Sequence, residues 1–143
     1  MDRQIAFNRI WDHFVTNKAD PSSVERNCKY RGPNGTKCVV GCLINDDLYT
    51  EEIEGANVNC CKNDFNGSPS LVKKGVLLKT ALEQSLNTTI NDDDLKYLFE
   101  MQQIHDSYIY YHSSGESDKN FTAYMSERLT NYAEERRLTV PTT

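Results

Sequence analysis

The stretch that decides the fold is LKYLFEMQQIHDSYIYYH, residues 95–112. On an α-helix, one narrow wedge of its surface is polar and apolar side chains cover most of the rest. The wedge consists of Lys96, Glu100, Gln103 and Ser107. We therefore predict a helix that is buried on most sides. Four polar residues interrupt its apolar arc, where an unpaired polar group costs about 1–3 kcal/mol. They are Gln102, His105, Asp106 and His112.

The length, net charge and composition of the chain narrow the class of protein. The 143 residues fit a single domain, residues 1–143, and carry a net charge of −5. The basic excess of a protein that follows a phosphate backbone is missing, so we do not expect nucleic acid as a partner. No apolar run approaches the roughly 20 residues of a membrane span, and no signal peptide is recognisable. We expect a cytoplasmic protein without membrane contact, whose five cysteines stay reduced or bind metal.

The wider pattern predicts a mostly α fold, a compact bundle of about four main helices. The first helix occupies residues 1–18, where apolar residues recur at helical spacing. Residues 71–137 hold three more helices: one capped by Ser70, one capped by Asn91, and a last one from Asp118 to Arg137 after a break at 113–117. Between them, residues 22–70 form an irregular loop or hairpin region that contains every cysteine.

Three features are expected inside the irregular region. The turn sequence at residues 32–35 predicts a hairpin that brings Cys28 close to Cys38. Residues 39–44, VVGCLI, are too short to separate helix from strand, and we favour a helix ending near Asn45. Residues 46–54 carry five carboxylates and are typical of a solvated turn or short helix.

The polar residues of the long helix have two interpretations. The favoured one makes Gln102 and His105 core groups that bond to the backbone of the irregular region and fix how that region packs. In the functional alternative, His105 with Asp106 nearby serves as a base, a metal ligand or a donor to a bound ligand.

The cysteines also have alternatives. Buried thiols without a cofactor are the favoured interpretation, with a zinc site and then a disulfide as the alternatives. A zinc site would use Cys38 and Cys42, whose spacing suits one ion, completed by Cys28 and Cys60. A cysteine-dependent hydrolase would use Cys38 as a nucleophile of lowered pKa, paired with His105 and Asp106.

A basic group surrounds the turn at residues 32–35. With Tyr30 for stacking, these cations could hold a phosphate or nucleotide. The favoured reading pairs them with the carboxylates of residues 46–54. They are Arg26, Lys29, Arg31 and Lys37.

The block CKYRGPNGTKCVVGCLINDDLYTEEIEG, residues 28–55, together with MQQIHD, residues 101–106, resembles a family of small proteins found in bacteriophage and bacterial genomes. The resemblance covers about a third of the chain. It departs at Asn45, where relatives often carry proline, and Cys42, Cys60 and Cys61 are not part of it. The matching positions are Cys28, Tyr30, Arg31, Gly35, Lys37, Cys38, Val40, Gly41, Leu43, Ile44, Asp46, Tyr49, Glu54, Gly55, Gln102, His105 and Asp106.

The resemblance implies a phage-encoded accessory protein of the bacterial cytoplasm that acts by binding. Inhibition of a host or defence protein, or sequestration of a small anionic ligand, is the expected role. The alternatives are a cysteine- or metal-dependent hydrolase and an interaction module stapled by zinc. Tyr108, Tyr110 and Tyr111 of the long helix could contribute to a homo-oligomer interface or equally belong to the core. The expected binding residues are Tyr30, Arg31, Lys37, Gln102, His105 and Asp106.

The two blocks of the resemblance also predict how the halves of the chain meet. We expect Arg31 to supply the counter-ion for His105 or Asp106, because a charge in the apolar arc is tolerable only when it is paired.

Overall fold

A computed structural model of the chain describes residues 1–111 and 121–142. These residues form a mostly α fold with one small antiparallel hairpin, which confirms the expected fold class. The helices are α1 (Arg3–Trp11), α2 (Val39–Leu43), α3 (Pro69–Leu86), α4 (Asp92–Tyr111) and α5 (Phe121–Arg136). The hairpin pairs β1 (Ser23–Val24) with β2 (Asn27–Cys28). No helix in these two ranges is long and apolar enough to cross a membrane.

The first helix has close to its predicted length. Asp2 caps α1 by accepting a hydrogen bond from the N–H of Ile5 at 3.1 Å. A π-helical turn, Asp12–Thr16, continues α1. The predicted apolar face is buried in the core and includes Phe7, Ile10 and Phe14.

The cap of helix α3 lies two residues before the predicted cap. Ser68, not Ser70, accepts the hydrogen bond from Leu71 N–H, and Pro69 takes the first helical position, where its missing N–H costs nothing. Asn91 caps α4 as predicted, accepting from the N–H of Asp94 at 2.8 Å. Asp94 returns a bond by accepting from the N–H of Asn91 at 3.1 Å, so the two residues form a reciprocal capping box.

The long helix α4 is buried on most of its surface, as predicted. The exposed side carries Lys96, Gln103 and Ser107 from the polar wedge. The last helix, α5, ends at Arg136, one residue before the predicted end. Three predictions fall on residues outside the described ranges: the environment of His112, the break at 113–117 and the helix start at Asp118.

The irregular region packs as a series of turns against α3 and α4. Its hairpin lies at residues 23–28, not around residues 32–35, which form a single 3₁₀ turn. Residues 39–43 are helical, and Gly41 is required there because a Cβ would lie 2.3 Å from the carbonyl oxygen of Tyr30. Residues 46–54 form two 3₁₀ turns on the surface, as predicted.

Candidate functional site

The polar residues of α4 bond to the backbone of the irregular region. His105 is completely buried, and its Nε2 accepts a hydrogen bond from the N–H of Ser22 at 3.1 Å. One turn earlier, Oε1 of Gln102 accepts from the N–H of Val40 at 2.8 Å. The favoured interpretation of these two residues is therefore confirmed: they satisfy buried backbone donors and attach the hairpin and α2 to α4.

Asp106 accepts hydrogen bonds from the remaining donors of this network. Because Nε2 of His105 accepts a bond, the proton of the neutral ring is on Nδ1, which lies 3.0 Å from Oδ1 of Asp106. The side-chain amide of Gln102 donates to the same oxygen at 2.6 Å. The thiol of Cys28, on β2, also bonds to the Asp106 carboxylate. Three side chains thus hold this carboxylate in one orientation.

The charge of Asp106 follows from these bonds. Partial burial works to raise its pKa, but the bonds from His105, Cys28 and Gln102 outweigh burial and lower the pKa below the ordinary aspartate value. The side chain is 40% exposed, so the anion also reaches solvent. Burial and the nearby carboxylate raise the pKa of the Cys28 thiol, which therefore remains protonated.

A cavity of about 430 Å³ lies at this junction, between the hairpin, residues 55–57 and α4. Polar groups from each of these segments face it, which gives it both donors and acceptors. Its lining includes Cys28, Lys29, Tyr30, Asn57, Gln102 and Asp106. Of the six expected binding residues, the structure therefore places Tyr30, Gln102 and Asp106 on the cavity, with His105 behind them.

Arg31 does not join this group, and the predicted pairing of Arg31 with His105 or Asp106 is wrong. Its guanidinium donates to the carbonyls of Gly41 at 2.7 Å and Ile44 at 2.8 Å at the end of α2. It also pairs with Asp46 at 3.0 Å. Because these acceptors lie beside Arg31 in the irregular region, its planar guanidinium binds within that region and does not pair with α4.

Lys37 also belongs to this local network. Its Nζ lies 3.2 Å from the same Asp46 oxygen that Arg31 contacts. The reading that the basic group pairs with carboxylates of residues 46–54 is therefore confirmed for Arg31 and Lys37. Neither residue lines the cavity beside Asp106.

Glu54 is a key residue that the sequence did not single out. Its carboxylate accepts from the backbone N–H groups of Tyr30 and Arg31, each at 3.1 Å, and from the hydroxyl of Tyr49 at 2.6 Å. It thereby holds the chain between the hairpin and α2. The only signal was its place in the block that carries the family resemblance, since composition alone put it in a solvated acidic segment.

The predicted nucleophile, Cys38, is not activated. Its sulfur caps α2 by accepting from the N–H of Gly41 at 3.4 Å. Burial raises its pKa to about 12, so the expected lowered pKa is wrong. Within the described residues no hydrogen bond joins Cys38 to His105, because both ring nitrogens of His105 are engaged by Ser22 and Asp106.

The expected zinc ligands lie in different environments. Cys42 donates its thiol proton to the carbonyl of Val39 at 3.0 Å. Cys60 packs against α3, where its carbonyl lies close to Gly75. All five cysteines are free thiols. In the described ranges, the group of metal-ligating side chains whose ligand atoms converge is instead Cys28, His105 and Asp106, with these atoms within 4.8 Å of one another.

Comparison of the chain with protein-family models, with curated proteins and with solved structures found no match.

Proposed function

We propose that the protein acts by binding rather than by catalysis, and that the cavity beside Asp106 receives a basic side chain of a partner protein. The observation that carries this proposal is Asp106 itself: an ionised carboxylate, held by three donors and 40% exposed, in the wall of a cavity of about 430 Å³. A carboxylate fixed in this way is ready to accept N–H groups without further ordering.

The state of the thiols and of the imidazole supports binding over hydrolysis. Every cysteine pKa that departs from its ordinary value is raised, with burial as the main cause, so these thiols are poor nucleophiles. A general base needs an accepting nitrogen within reach of the proton it removes. His105 has none to spare, because its accepting nitrogen is bound to Ser22 N–H.

The distribution of charge supports a cationic group over the small anion that was the other expectation. Arg31 and Lys37 share Asp46 and lie outside the cavity. Lys29 lines the cavity, but among the described residues it forms no ion pair with Asp106, so the carboxylate is not neutralised by the protein's own lysine. The net charge of −5 also attracts a basic surface.

The family resemblance gives the biological side of the proposal. An accessory protein of phage type would meet its partner in the bacterial cytoplasm, and a host or defence protein with an exposed arginine or lysine would fit the site. Inhibition would then result from covering the partner's surface.

The experiment uses isotope-labelled protein and two blocked amino acids as probes. Titration with N-acetyl-arginine methylamide should shift the amide resonances of Cys28, Asn57 and Asp106, and N-acetyl-glutamate methylamide should not. Asp106→Asn keeps the shape but removes the charge, and should abolish the arginine-induced shifts. Asp47→Asn removes an exposed carboxylate elsewhere and is the matched control. Equal shifts in wild type and Asp106→Asn would disprove the proposal.

A further inference from the structure

We propose that Cys28, His105 and Asp106 form a binding site for a zinc-class divalent cation, and that occupation of this site releases Ser22 from His105. Metal binding here does not depend on the proposed function. It starts from a different observation, the convergence of a sulfur, a nitrogen and an oxygen from β2 and α4 to within 4.8 Å of one another.

The ligand types select the class of metal. A thiolate and an imidazole suit zinc and its borderline-soft neighbours, whereas magnesium and calcium prefer oxygen ligands. One thiolate and one carboxylate together carry two negative charges, which balance the charge of a dication. The set differs from the four-cysteine zinc alternative considered from the spacing, since it takes only Cys28 from that arrangement.

The existing hydrogen bonds show how the ion would enter. Protons on the Cys28 sulfur and on Nδ1 of His105 now lie between these atoms and the Asp106 carboxylate. A metal ion takes the place of both. The thiol proton leaves to solvent, and the imidazole proton moves from Nδ1 to Nε2, so the ring stays neutral.

Access and the fourth ligand position come from the cavity. Cys28 is half-buried and Asp106 is partly exposed, and both line the cavity of about 430 Å³. A hydrated ion can therefore reach these two ligands from the cavity, and a water molecule can remain as the fourth ligand, as in zinc sites with three protein ligands.

Metal binding breaks the hydrogen bond from Ser22 to His105. Once Nε2 of His105 carries a proton, it can no longer accept from the N–H of Ser22, which lies 3.1 Å away. Two donors would then face each other in a completely buried site. Ser22 must move away, while Cys28 stays attached to α4 through the ion, so metal binding and docking of Ser22 exclude each other at His105.

Cobalt is the spectroscopic probe for this site. Co²⁺ added to the reduced wild-type protein should give a near-ultraviolet thiolate-to-cobalt charge-transfer band that saturates at one equivalent and disappears when Zn²⁺ is added. Cys28→Ser should lose the band. Cys42→Ser is the matched control, because its hydroxyl can still donate to the Val39 carbonyl, and it should keep the band. Asp106→Asn should weaken cobalt binding about tenfold or more.

Several outcomes would overturn the metal site. One is the absence of a band at millimolar Co²⁺; another is a band that survives in Cys28→Ser; a third is loss of the band in Cys42→Ser, which would point back to a cysteine cluster. A missing band together with arginine binding that requires Asp106 would remove the metal site and leave the proposed function standing.

Amide hydrogen exchange tests the release of Ser22. Zn²⁺ should speed exchange at Ser22, whose N–H loses its acceptor, and leave Val40 protected by Gln102. Val40 thus serves as an internal control, because its acceptor Gln102 lies on the same helix as His105. Unchanged or slower exchange at Ser22 in protein that shows the cobalt band would overturn the coupling.

Discussion

The backbone N–H of Ser22 donates to Nε2 of His105 at 3.1 Å, across 83 residues of sequence. Both residues are completely buried, so no solvent can replace the bond. The imidazole also packs against Phe14 and Phe121, with ring centroids 5.7 and 5.9 Å away. His105 is therefore a core residue that positions the hairpin, and its ring nitrogens are used for structure.

Replacement of His105 by phenylalanine should destabilise the fold. The aromatic packing is kept, but Ser22 N–H loses its acceptor and Asp106 loses a donor, so we expect a loss of about 1–3 kcal/mol in the free energy of unfolding. Urea denaturation measures this loss. Gln103→Ala, on the exposed side of α4, should change stability by less than about 0.5 kcal/mol. Equal stability of the two variants would contradict the structural role.

Periodicity predicted the burial of α4, because a nearly all-round apolar helix has few ways to fold. It also identified Gln102 and His105 as groups that need partners. It did not identify Ser22 as a partner, since the hairpin tip is Glu25–Arg26, both with positive φ (51° and 68°). Two-residue hairpins normally signal themselves by asparagine or glycine at these positions. Because that signal is missing at residues 25–26, the sequence predicts the hairpin around the turn at residues 32–35 instead.

Arg31 shows a second limit of the sequence. The sequence predicts a cationic counter-ion for Asp106, but the partners of this carboxylate are the uncharged groups of Gln102, His105 and Cys28. The guanidinium was instead drawn to carbonyls at the end of α2, which only the folded loop brings into reach. Sequence spacing cannot rank acceptors whose positions depend on the loop itself.

Arg31→Lys should be destabilising even though the charge is kept. A single ammonium cannot span the carbonyls of Gly41 and Ile44 together with Asp46, so about 1–3 kcal/mol should be lost in chemical denaturation. Lys37→Ala removes only a contact to an exposed carboxylate and should cost at most about 1 kcal/mol. If Arg31→Lys costs no more stability than Lys37→Ala, the guanidinium of Arg31 does not hold α2 in place.

Gly41→Ala should disturb the contact between α2 and the segment at Tyr30. A Cβ at this position would lie 2.3 Å from the Tyr30 carbonyl oxygen, so the backbone must separate, at a cost of about 1–3 kcal/mol. Thermal unfolding followed by circular dichroism gives the change. Gly35→Asn is the control, because that site is open and asparagine tolerates its φ of 75°. A melting temperature for Gly41→Ala equal to that of the control would refute the close approach.

The thiols should react slowly in the native state. Burial raises the pKa of Cys38 and of Cys61 to about 12 each, which leaves little thiolate near neutral pH. Alkylation by iodoacetamide at about pH 8, followed by peptide mass spectrometry, should therefore be much slower at these residues in native protein than in urea. Rapid modification of Cys38 in native protein would revive the hydrolase alternative.

Asp106 should make stability depend on pH in a defined direction. Its pKa is lower in the folded state than the roughly 3.9 of an unfolded aspartate, because bonds from His105, Cys28 and Gln102 outweigh burial. The ionised group therefore stabilises the fold above about pH 4, and this contribution is lost as the pH falls through the folded-state pKa. This dependence on pH is absent from Asp106→Asn, because the asparagine amide does not ionise.

The stability difference between wild type and Asp106→Asn should thus be constant from about pH 5 to 7 and shrink as the pH falls below about 4. Urea denaturation across this range measures it. Asp46 also has a lowered pKa, from its contacts with Lys37 and Arg31, but its side chain is 78% exposed. The Asp46→Asn difference should therefore fade in about 0.5 M salt, whereas the partly buried bonds of Asp106 should resist screening. A difference for Asp106→Asn that does not change with pH would mean that its folded-state pKa is not lowered, and that the three donors do not hold the anion.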